Sequence, residues 1–269
     1  MDGTLLNKAS VLSATTTNML NDVIAQGALF TVATARTPAT VVGLMKDVRA
    51  TLPFIVMAGC AMWDNAKQEY SSARIIPNDT IERIIEVFEK HDNNPFVYYK
   101  NGNSIMVNHV EEMTKDELDF IEPRIMGSLK RLQTVKSLRP DSSYDGVMLL
   151  FSMGNFNELR AIANEIDELG IECTYNCYHD IFDDSKGFID LYVKGTTKAA
   201  AIKSLANEVG AERIVVFGDN LNDIPMMKVA DHSVAVSNAF DEVKQYADEI
   251  IGSNEADSVA KWILNDFRQ

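Results

Sequence analysis

Two aspartates and two asparagines are concentrated in the short segment from Asp219 to Asp223. The segment follows directly on an apolar run at 213–217, which is typical of a buried strand. Its side chains are therefore predicted to lie at the carboxyl end of that strand, where doubly wound folds bind ligands. Carboxylate and amide oxygens suit Mg²⁺ better than zinc. The segment predicts a magnesium site, with an Asx-rich turn between strand and helix as the alternative.

Two further residues have the chemistry to hold a phosphate group. Thr34 follows an apolar run, and its hydroxyl and the nearby backbone N–H groups are suited to bind a phosphate oxygen. Lys198 lies in the first turn of a helix predicted to begin after Thr197, where a positive charge opposes the helix dipole. Such an unfavourable placement favours a function, such as neutralising phosphate or orienting a carboxylate. An ordinary strand-end threonine and a solvated lysine are the alternatives.

Alternating strands and helices must position these residues. Short apolar runs predict strands at 29–33, 54–57, 189–193, 213–217, 233–236 and 249–251. Strands that alternate with helices in this way are typical of an α/β fold with a doubly wound, parallel, Rossmann-like sheet. The middle of the chain instead has short polar-apolar strands and two amphipathic helices. We predict an α/β core over 1–77 and 187–269, with an α+β domain inserted over 78–186.

Composition limits the classes of protein and partner. The 269 residues are enough for one large domain or two smaller ones. A formal net charge of −14 argues against nucleic acid as a partner, because phosphate backbones need clustered Lys and Arg. No apolar run reaches the length of a membrane helix, and no secretory signal is recognised. Three cysteines, an odd and small number, predict a reducing compartment, so we expect a cytoplasmic protein.

A zinc site at Cys173, Cys177 and His179 is not expected. Along a strand, a spacing of four residues puts both sulfurs on one face but separates them by about 13 Å. That distance is too long for two ligands of one ion.

Four short motifs follow one another in the order seen in the haloacid dehalogenase-like (HAD) hydrolases. They are Asp-Gly-Thr-Leu from Asp2, Ala-Thr-Ala-Arg around Thr34, Thr-Thr-Lys ending at Lys198, and Gly-Asp-x-x-Asn-Asp from Gly218. The chain resembles the Cof-type branch (subclass IIB), whose α+β cap is inserted between the second and third motifs. The long gap from Thr34 to Lys198 matches that insertion, and the resemblance spans the whole chain.

The resemblance implies a Mg²⁺-dependent phosphatase that acts on a small phosphorylated metabolite, such as a sugar phosphate or a phosphorylated cofactor, through an aspartyl-phosphate. It implies that Asp2 protonates the leaving oxygen and then activates water. The cap is implied to close over the site and to read the organic half of the substrate. The implied metal ligands are Asp2, through its backbone carbonyl, with Asp219 and Asp223. The residues implied to contact phosphate are Gly3, Thr34, Ala35, Lys198 and Asn222.

The family's nucleophilic aspartate falls one position before Met1. The family motif is Asp-x-Asp-Gly-Thr, and Met1 stands at the variable position, so neither the nucleophile nor the strand that normally precedes it is in this chain. We hypothesise that the native protein is longer by about ten residues and active, whereas this chain is inactive. A non-catalytic binder of a phosphorylated metabolite and a phosphomutase of the same fold are the alternatives. Smaller departures are Ala35 for the usual glycine and Ala58-Gly59-Cys60 for the frequent Asn-Gly-Ala.

Overall fold

The computed structural model describes residues 1–110, 113–125, 127–180 and 183–267. They divide into two compact units, one made of Met1–Ser72 with Thr197–Gln269 and the other of Ala73–Thr196. None of the described helices has both the length and the apolar character needed to cross a bilayer.

The described residues form helices and strands with the following bounds. The strands are β1 Phe54–Val56, β2 Ala61–Asp64, β3 Glu69–Ala73, β4 Phe96–Asn101, β5 Ser104–His109, β6 Lys130–Thr134, β7 Gly146–Asn155, β8 Cys173–His179, β9 Lys186–Val193, β10 Val215–Gly218, β11 His232–Val236 and β12 Glu249–Ile251. The α-helices are α1 Ala14–Ala25, α2 Pro38–Met45, α3 Asn78–Lys90, α4 Lys115–Ile121, α5 Phe156–Glu168, α6 Lys198–Val209, α7 Ile224–Met227, α8 Asp241–Lys244 and α9 Ser258–Phe267. Short 3₁₀ turns occur at Met57–Gly59, Glu122–Arg124, Leu221–Asp223 and Asn254–Ala256.

The first unit contains a parallel sheet in the order β10-β11-β12. Val216 pairs with Ser233 in β11, and Val234 pairs with Glu249 in β12. This parallel arrangement, with helices between the strands, confirms the predicted α/β core. A second sheet of the same unit has the order β1-β2-β3, with β1 and β2 antiparallel.

The strand predicted at 29–33 is reduced to a single parallel bridge between Ala33 and Ile55. The Ile55 amide donates to the Val32 carbonyl at 2.8 Å, and the Thr34 amide donates to the Ile55 carbonyl at 3.0 Å. A regular strand needs partners along its length, and within the described residues this segment pairs only at its end and only with β1. The strand prediction is therefore wrong for most of 29–33.

An apolar cleft of about 520 Å³ lies within the first unit. It is lined by the segment 27–33, by residues 213–217 around β10, and by side chains of α6 and α9 such as Leu205 and Ile263. Among the described residues β10 pairs only with β11, so its other backbone edge belongs to the cleft. Met1, Thr4 and Leu5 also line the cleft. We refer to this feature below as the apolar cleft.

The second unit is built on a six-stranded sheet in the order β6-β5-β4-β7-β9-β8. The apolar faces of α3 and α5 pack on one side of this sheet, because residues such as Ile81, Phe88 and Leu159 form one core with Val97 and Leu191. The other side of the sheet carries aromatic and charged residues.

The run at 189–193 is a strand, but it belongs to this second unit rather than to the predicted α/β core. It lies in β9, which pairs with β7 and β8. The second unit consequently runs from Ala73 to Thr196, whereas the insert was predicted over 78–186. An apolar run has the same pattern in either kind of sheet, so its sequence alone does not specify its partners.

Candidate active site

The segment that follows β10 carries the two predicted acidic ligands. The Asn220 side chain accepts from the Leu221 amide at 2.7 Å and so starts the 3₁₀ turn Leu221–Asp223. The Asp223 carboxylate accepts from the Asp219 amide at 3.2 Å and from the Asn220 amide at 3.4 Å. The turn is therefore the Asx-rich connection that the sequence offered as the alternative to a magnesium site. It also holds two carboxylates beside each other.

Lys198 reaches this turn from the start of α6. The hydroxyl of Thr197 accepts from the Ala200 amide at 3.0 Å, which confirms Thr197 as the residue that caps the helix. The Lys198 ammonium donates to Asp223 at 2.7 Å and lies 3.4 Å from the Asn222 side-chain oxygen. The side chains of Lys198 and Asp223 are only 10% and 4% exposed, so this ion pair is buried.

The opening segment of the chain packs against Asp219. The Thr4 hydroxyl donates to the Asp219 carboxylate. Gly3 has φ +68°, and a Cβ placed there would lie 2.2 Å from Asp219 Oδ2, so only glycine fits this close approach. The Asn238 amide donates to the Gly3 carbonyl at 2.7 Å, which holds the segment in place. Gly3 therefore acts here through its backbone and its lack of a side chain.

The two carboxyls of the turn have opposite electrostatic environments. Burial alone would raise the pKa of Asp223, but the charge and hydrogen bond of Lys198 outweigh it, so this pKa lies below its ordinary value. Burial raises the pKa of Asp219 above its ordinary value despite the hydrogen bond from Thr4. A cation bound beside the partly buried Asp219 would favour its ionised form.

Asp2 is paired with Arg36, which was not predicted. The guanidinium holds both carboxylate oxygens, with Arg36 Nε 2.8 Å from Asp2 Oδ2 and Nη2 on Oδ1. Burial opposes ionisation of Asp2, but this fork-shaped contact outweighs it and lowers the pKa of Asp2. The Arg36 amide also donates to the Thr34 hydroxyl at 3.2 Å. Arg36 thus links the Asp2 segment to the Thr34 segment.

The structure groups most, but not all, of the predicted residues by direct contact. Gly3 approaches Asp219, and Lys198 contacts Asn222 and Asp223. Thr34 is 4% exposed and joins the group through Arg36, while Ala35 is exposed beside it. That these predicted residues bind phosphate stays a prediction.

Sequence reasoning missed Arg36, Thr4 and Asn238. Thr4 and Arg36 lie in the motifs already noted and Asn238 lies outside them, but their contacts span up to 235 positions of sequence and depend on the fold. Polar residues beside a motif residue were the only available signal.

The acidic residues fit a hard cation through two carboxylates rather than three. Within the described residues, no group of three or more His, Cys, Asp or Glu side chains is arranged to hold a metal. The Asp2 carboxylate is paired with Arg36. Asp219 and Asp223 supply the hard oxygen ligands that Mg²⁺ prefers. That Asp2 contributes its backbone carbonyl stays a prediction.

Comparison with known proteins places this site in a family. The family model described as haloacid dehalogenase-like hydrolase matches residues 1–263. The chain is 26% identical to the 5-amino-6-(5-phospho-D-ribitylamino)uracil phosphatase YcsE of Bacillus subtilis, over 98% of this chain and 94% of that protein. It is 24% identical to the pyridoxal phosphate phosphatase YbhA of Escherichia coli, over 98% and 96% of the two chains.

A solved structure has the same fold. It is a haloacid dehalogenase-like hydrolase from Bacteroides thetaiotaomicron, with a TM-score of 0.78 and 20% identity. The match covers 98% of this chain and 96% of that one.

Proposed function

Because the chain belongs to the haloacid dehalogenase-like hydrolases, we propose that its site hydrolyses the phosphate monoester of a small metabolite, with Mg²⁺ as cofactor. By family it is a phosphoric monoester hydrolase of the Cof type. The proposed substrates are phosphorylated cofactors or sugar phosphates. The similar phosphatases named above act on a phosphoribityl-aminouracil and on pyridoxal phosphate, which supports the first of these classes.

The buried contact between Lys198 and Asp223, next to Asp219, is the observation that carries this proposal. A phosphate ester brings negative charge into the site, and a positioned ammonium group lowers the free energy of that charge. Lys198 is held at Asp223 and so presents its charge at the carboxyl end of β10, where this fold binds ligands. The two carboxylates alone would repel the phosphate.

Asp219 and Asp223, together with the Asp2 backbone carbonyl, are proposed to hold Mg²⁺. A bound Mg²⁺ would neutralise phosphate oxygens and stabilise the charge of the transferring group. Gly3 lets the first segment approach Asp219 closely enough for such a shared set of oxygen ligands. Thr4, through its hydrogen bond, orients the Asp219 carboxylate.

Asp2 is proposed as the general acid and base, and Thr34 and Lys198 as the groups that hold the phosphoryl oxygens. Arg36 orients Asp2 and lowers its pKa, which favours the ionised form that activates water in the second step. Ala35 and Asn222 are proposed to contact phosphate through the backbone and the side-chain amide.

The nucleophile is proposed to be an aspartate directly before Met1, at the end of an extended segment that occupies the apolar cleft. The cleft is apolar, two backbone edges border it without strand partners in the described part of the chain, and Met1 lines it. An added strand would satisfy the backbone groups of β10 and of 29–33, and its last residue would emerge beside Asp2.

Three matched proteins test the proposal: this chain, the chain extended upstream through the in-frame codons, and the extended chain with the preceding aspartate changed to asparagine. Phosphate release from a panel of phosphate esters is measured with Mg²⁺ and with EDTA. We expect activity only in the extended form with Mg²⁺, and a loss of about 10⁴-fold or more in the asparagine variant. Equal activity in all three proteins contradicts the assignment of the nucleophile.

The same experiment separates the two alternatives. A codon other than Asp upstream, with phosphate-ester binding but no turnover, indicates a non-catalytic binder. An isomerised sugar phosphate without free phosphate indicates a phosphomutase.

A further inference from the structure

The short turn that follows β1 has three consecutive residues in the left-handed region of backbone conformation. The φ angles are +51° at Met57, +56° at Ala58 and +95° at Gly59. Glycine adopts such angles freely, but Met57 and Ala58 carry a Cβ, so the surrounding structure must offset their strain. Strained residues of this kind persist where neighbouring contacts fix the backbone, and they cluster at functional sites. We refer to residues 57–59 as the left-handed turn.

The left-handed turn holds the segment that carries Thr34. The Ala58 amide donates to the Thr34 carbonyl at 2.9 Å, and the Met57 amide donates to the Arg36 carbonyl at 2.9 Å. In an extended strand successive amides point to opposite sides, so two neighbouring amides reach one segment here because the turn is not extended. The two hydrogen bonds therefore fix both ends of the segment 34–36.

The same turn lies against the start of α6. A Cβ placed on Gly59 would collide with the Thr197 carbonyl oxygen, and it would lie 2.7 Å from the Thr197 carbonyl carbon and 3.1 Å from the Lys198 backbone nitrogen. All three atoms belong to the backbone, so no side-chain rotation could relieve the contact. Gly59 is buried, and its lack of a side chain sets how closely α6 approaches the turn. The position of the Lys198 backbone depends on this approach.

We propose that the left-handed turn is a positioning element that fixes Thr34 and Lys198 relative to each other. Its amides hold the Thr34 segment, and Gly59 lets the first residues of α6 lie directly against it. From this position the Lys198 side chain reaches Asp223 at 2.7 Å. That the two positioned groups hold phosphoryl oxygens rests on the proposed function. The positioning itself depends only on contacts within the first unit.

A double-mutant cycle in urea tests the positioning without reference to catalysis. The measured quantity is the fall in the urea midpoint that Lys198→Met causes at pH 7 in EDTA, in the parent chain and in each turn variant. The turn variants are Gly59→Ala, which places a Cβ against the Thr197 carbonyl, and Ala58→Val, which puts a β-branched residue at a positive φ. If the start of α6 moves away from Asp223, the Lys198 ammonium stabilises the fold less, and its removal lowers the midpoint less.

Two matched controls alter similar positions without moving the start of α6. Ala58→Gly keeps the turn, because glycine adopts a positive φ freely. Gly210→Ala adds a Cβ at φ +65° at the other end of α6, where no atom of the described residues lies within 4 Å of it. Both controls should leave the effect of Lys198→Met within about a fifth of its parent value. Both turn variants should reduce that effect to less than about half.

The full parent effect of Lys198→Met in a folded turn variant overturns the proposal, since independent sites give additive losses. A reduced effect in Ala58→Gly overturns it as well. An undetectable effect in the parent also overturns it, because the positioned ion pair would then contribute nothing. If Gly59→Ala does not fold, Ala58→Val and Ala58→Gly decide the question, because valine disfavours a positive φ and glycine allows it.

Phosphate release by the extended chain separates this inference from the proposed function. Gly59→Ala should lower kcat/KM at least about tenfold, and Lys198→Met should cost less in that variant than in the parent. Gly210→Ala should stay within about twofold. Non-additive urea midpoints without phosphatase activity in any form contradict the proposed function alone. Phosphatase activity with additive midpoints contradicts this inference alone.

Discussion

Replacing Lys198 by methionine should destabilise the protein strongly at neutral pH. The ammonium lies 2.7 Å from Asp223, and both side chains are almost fully buried. With an effective dielectric constant of about 20, two unit charges at this distance attract by about 6 kcal/mol, part of which offsets their desolvation. Removing Lys198 leaves the buried Asp223 carboxylate with its backbone amide donors but without its strongest cationic partner, so the free energy of unfolding should fall by about 3 kcal/mol.

The loss should also depend on pH. Lys198 holds the pKa of Asp223 below its unfolded value, so this pair contributes stability above about pH 4 and loses it as the pH falls through the folded pKa. In the methionine variant the Lys198 charge no longer offsets burial, so the pKa of Asp223 should rise, and protonation at acidic pH should relieve the buried charge. The difference between variant and wild type should therefore be largest near pH 7 and shrink toward pH 4.

Urea unfolding at pH 7 and near pH 4.5, in EDTA, measures both effects. The matched control is Lys203→Met, an exposed lysine of the same helix, which should change stability by less than about 0.5 kcal/mol. A loss below about 1 kcal/mol for Lys198→Met, or an equal loss at both pH values, would refute the reasoning about the buried ion pair.

Three further predictions follow from the same contacts. Gly3→Ala should abolish phosphatase activity of the extended chain, because its Cβ would collide with Asp219 at a positive φ; activity within about tenfold of wild type contradicts this. Arg36→Met should raise the pKa of Asp2 and shift the pH profile of kcat/KM toward higher pH. An unshifted profile argues against an effect of Arg36 on the ionisation of Asp2. Asp190 has a folded pKa of about 7, above its unfolded value, so wild-type Tm should rise as the pH falls from 7 toward 4 more than in Asp190→Asn; parallel Tm curves contradict it.

The Asp219–Asp223 turn and the start of α6 were predictable from local signals. The apolar run before Asp219 and the cap at Thr197 are local signals, and both elements occur where the sequence placed them. Acidic and amide residues that directly follow a strand of an α/β fold lie at the carboxyl end of that strand, where such folds bind ligands. This position can be predicted without knowing the rest of the fold. Lys198 then contacts Asp223 because α6 begins beside the turn that follows β10.

Pairings between distant segments were not predictable. The contact between Asp2 and Arg36, and the position of β9 in the second unit, depend on which elements become neighbours. The burial of Lys130 likewise has no sequence signal, because an isolated lysine in a polar strand is ordinarily exposed. The wrong strand at 29–33 has a related cause, since an apolar run becomes a regular strand only when partners are present on its edges.

The central claim is that Asp219, beside the pair formed by Lys198 and Asp223, supports metal-dependent hydrolysis of a phosphate ester. The most direct measurement is the rate of phosphate release from pyridoxal 5′-phosphate by the extended chain and by its Asp219→Asn variant, each with Mg²⁺ and with EDTA. We expect Mg²⁺-dependent release by the extended chain and a loss of at least about 10³-fold in the variant. Release that is unaffected by EDTA, or retained by Asp219→Asn, would contradict the assignment of this site.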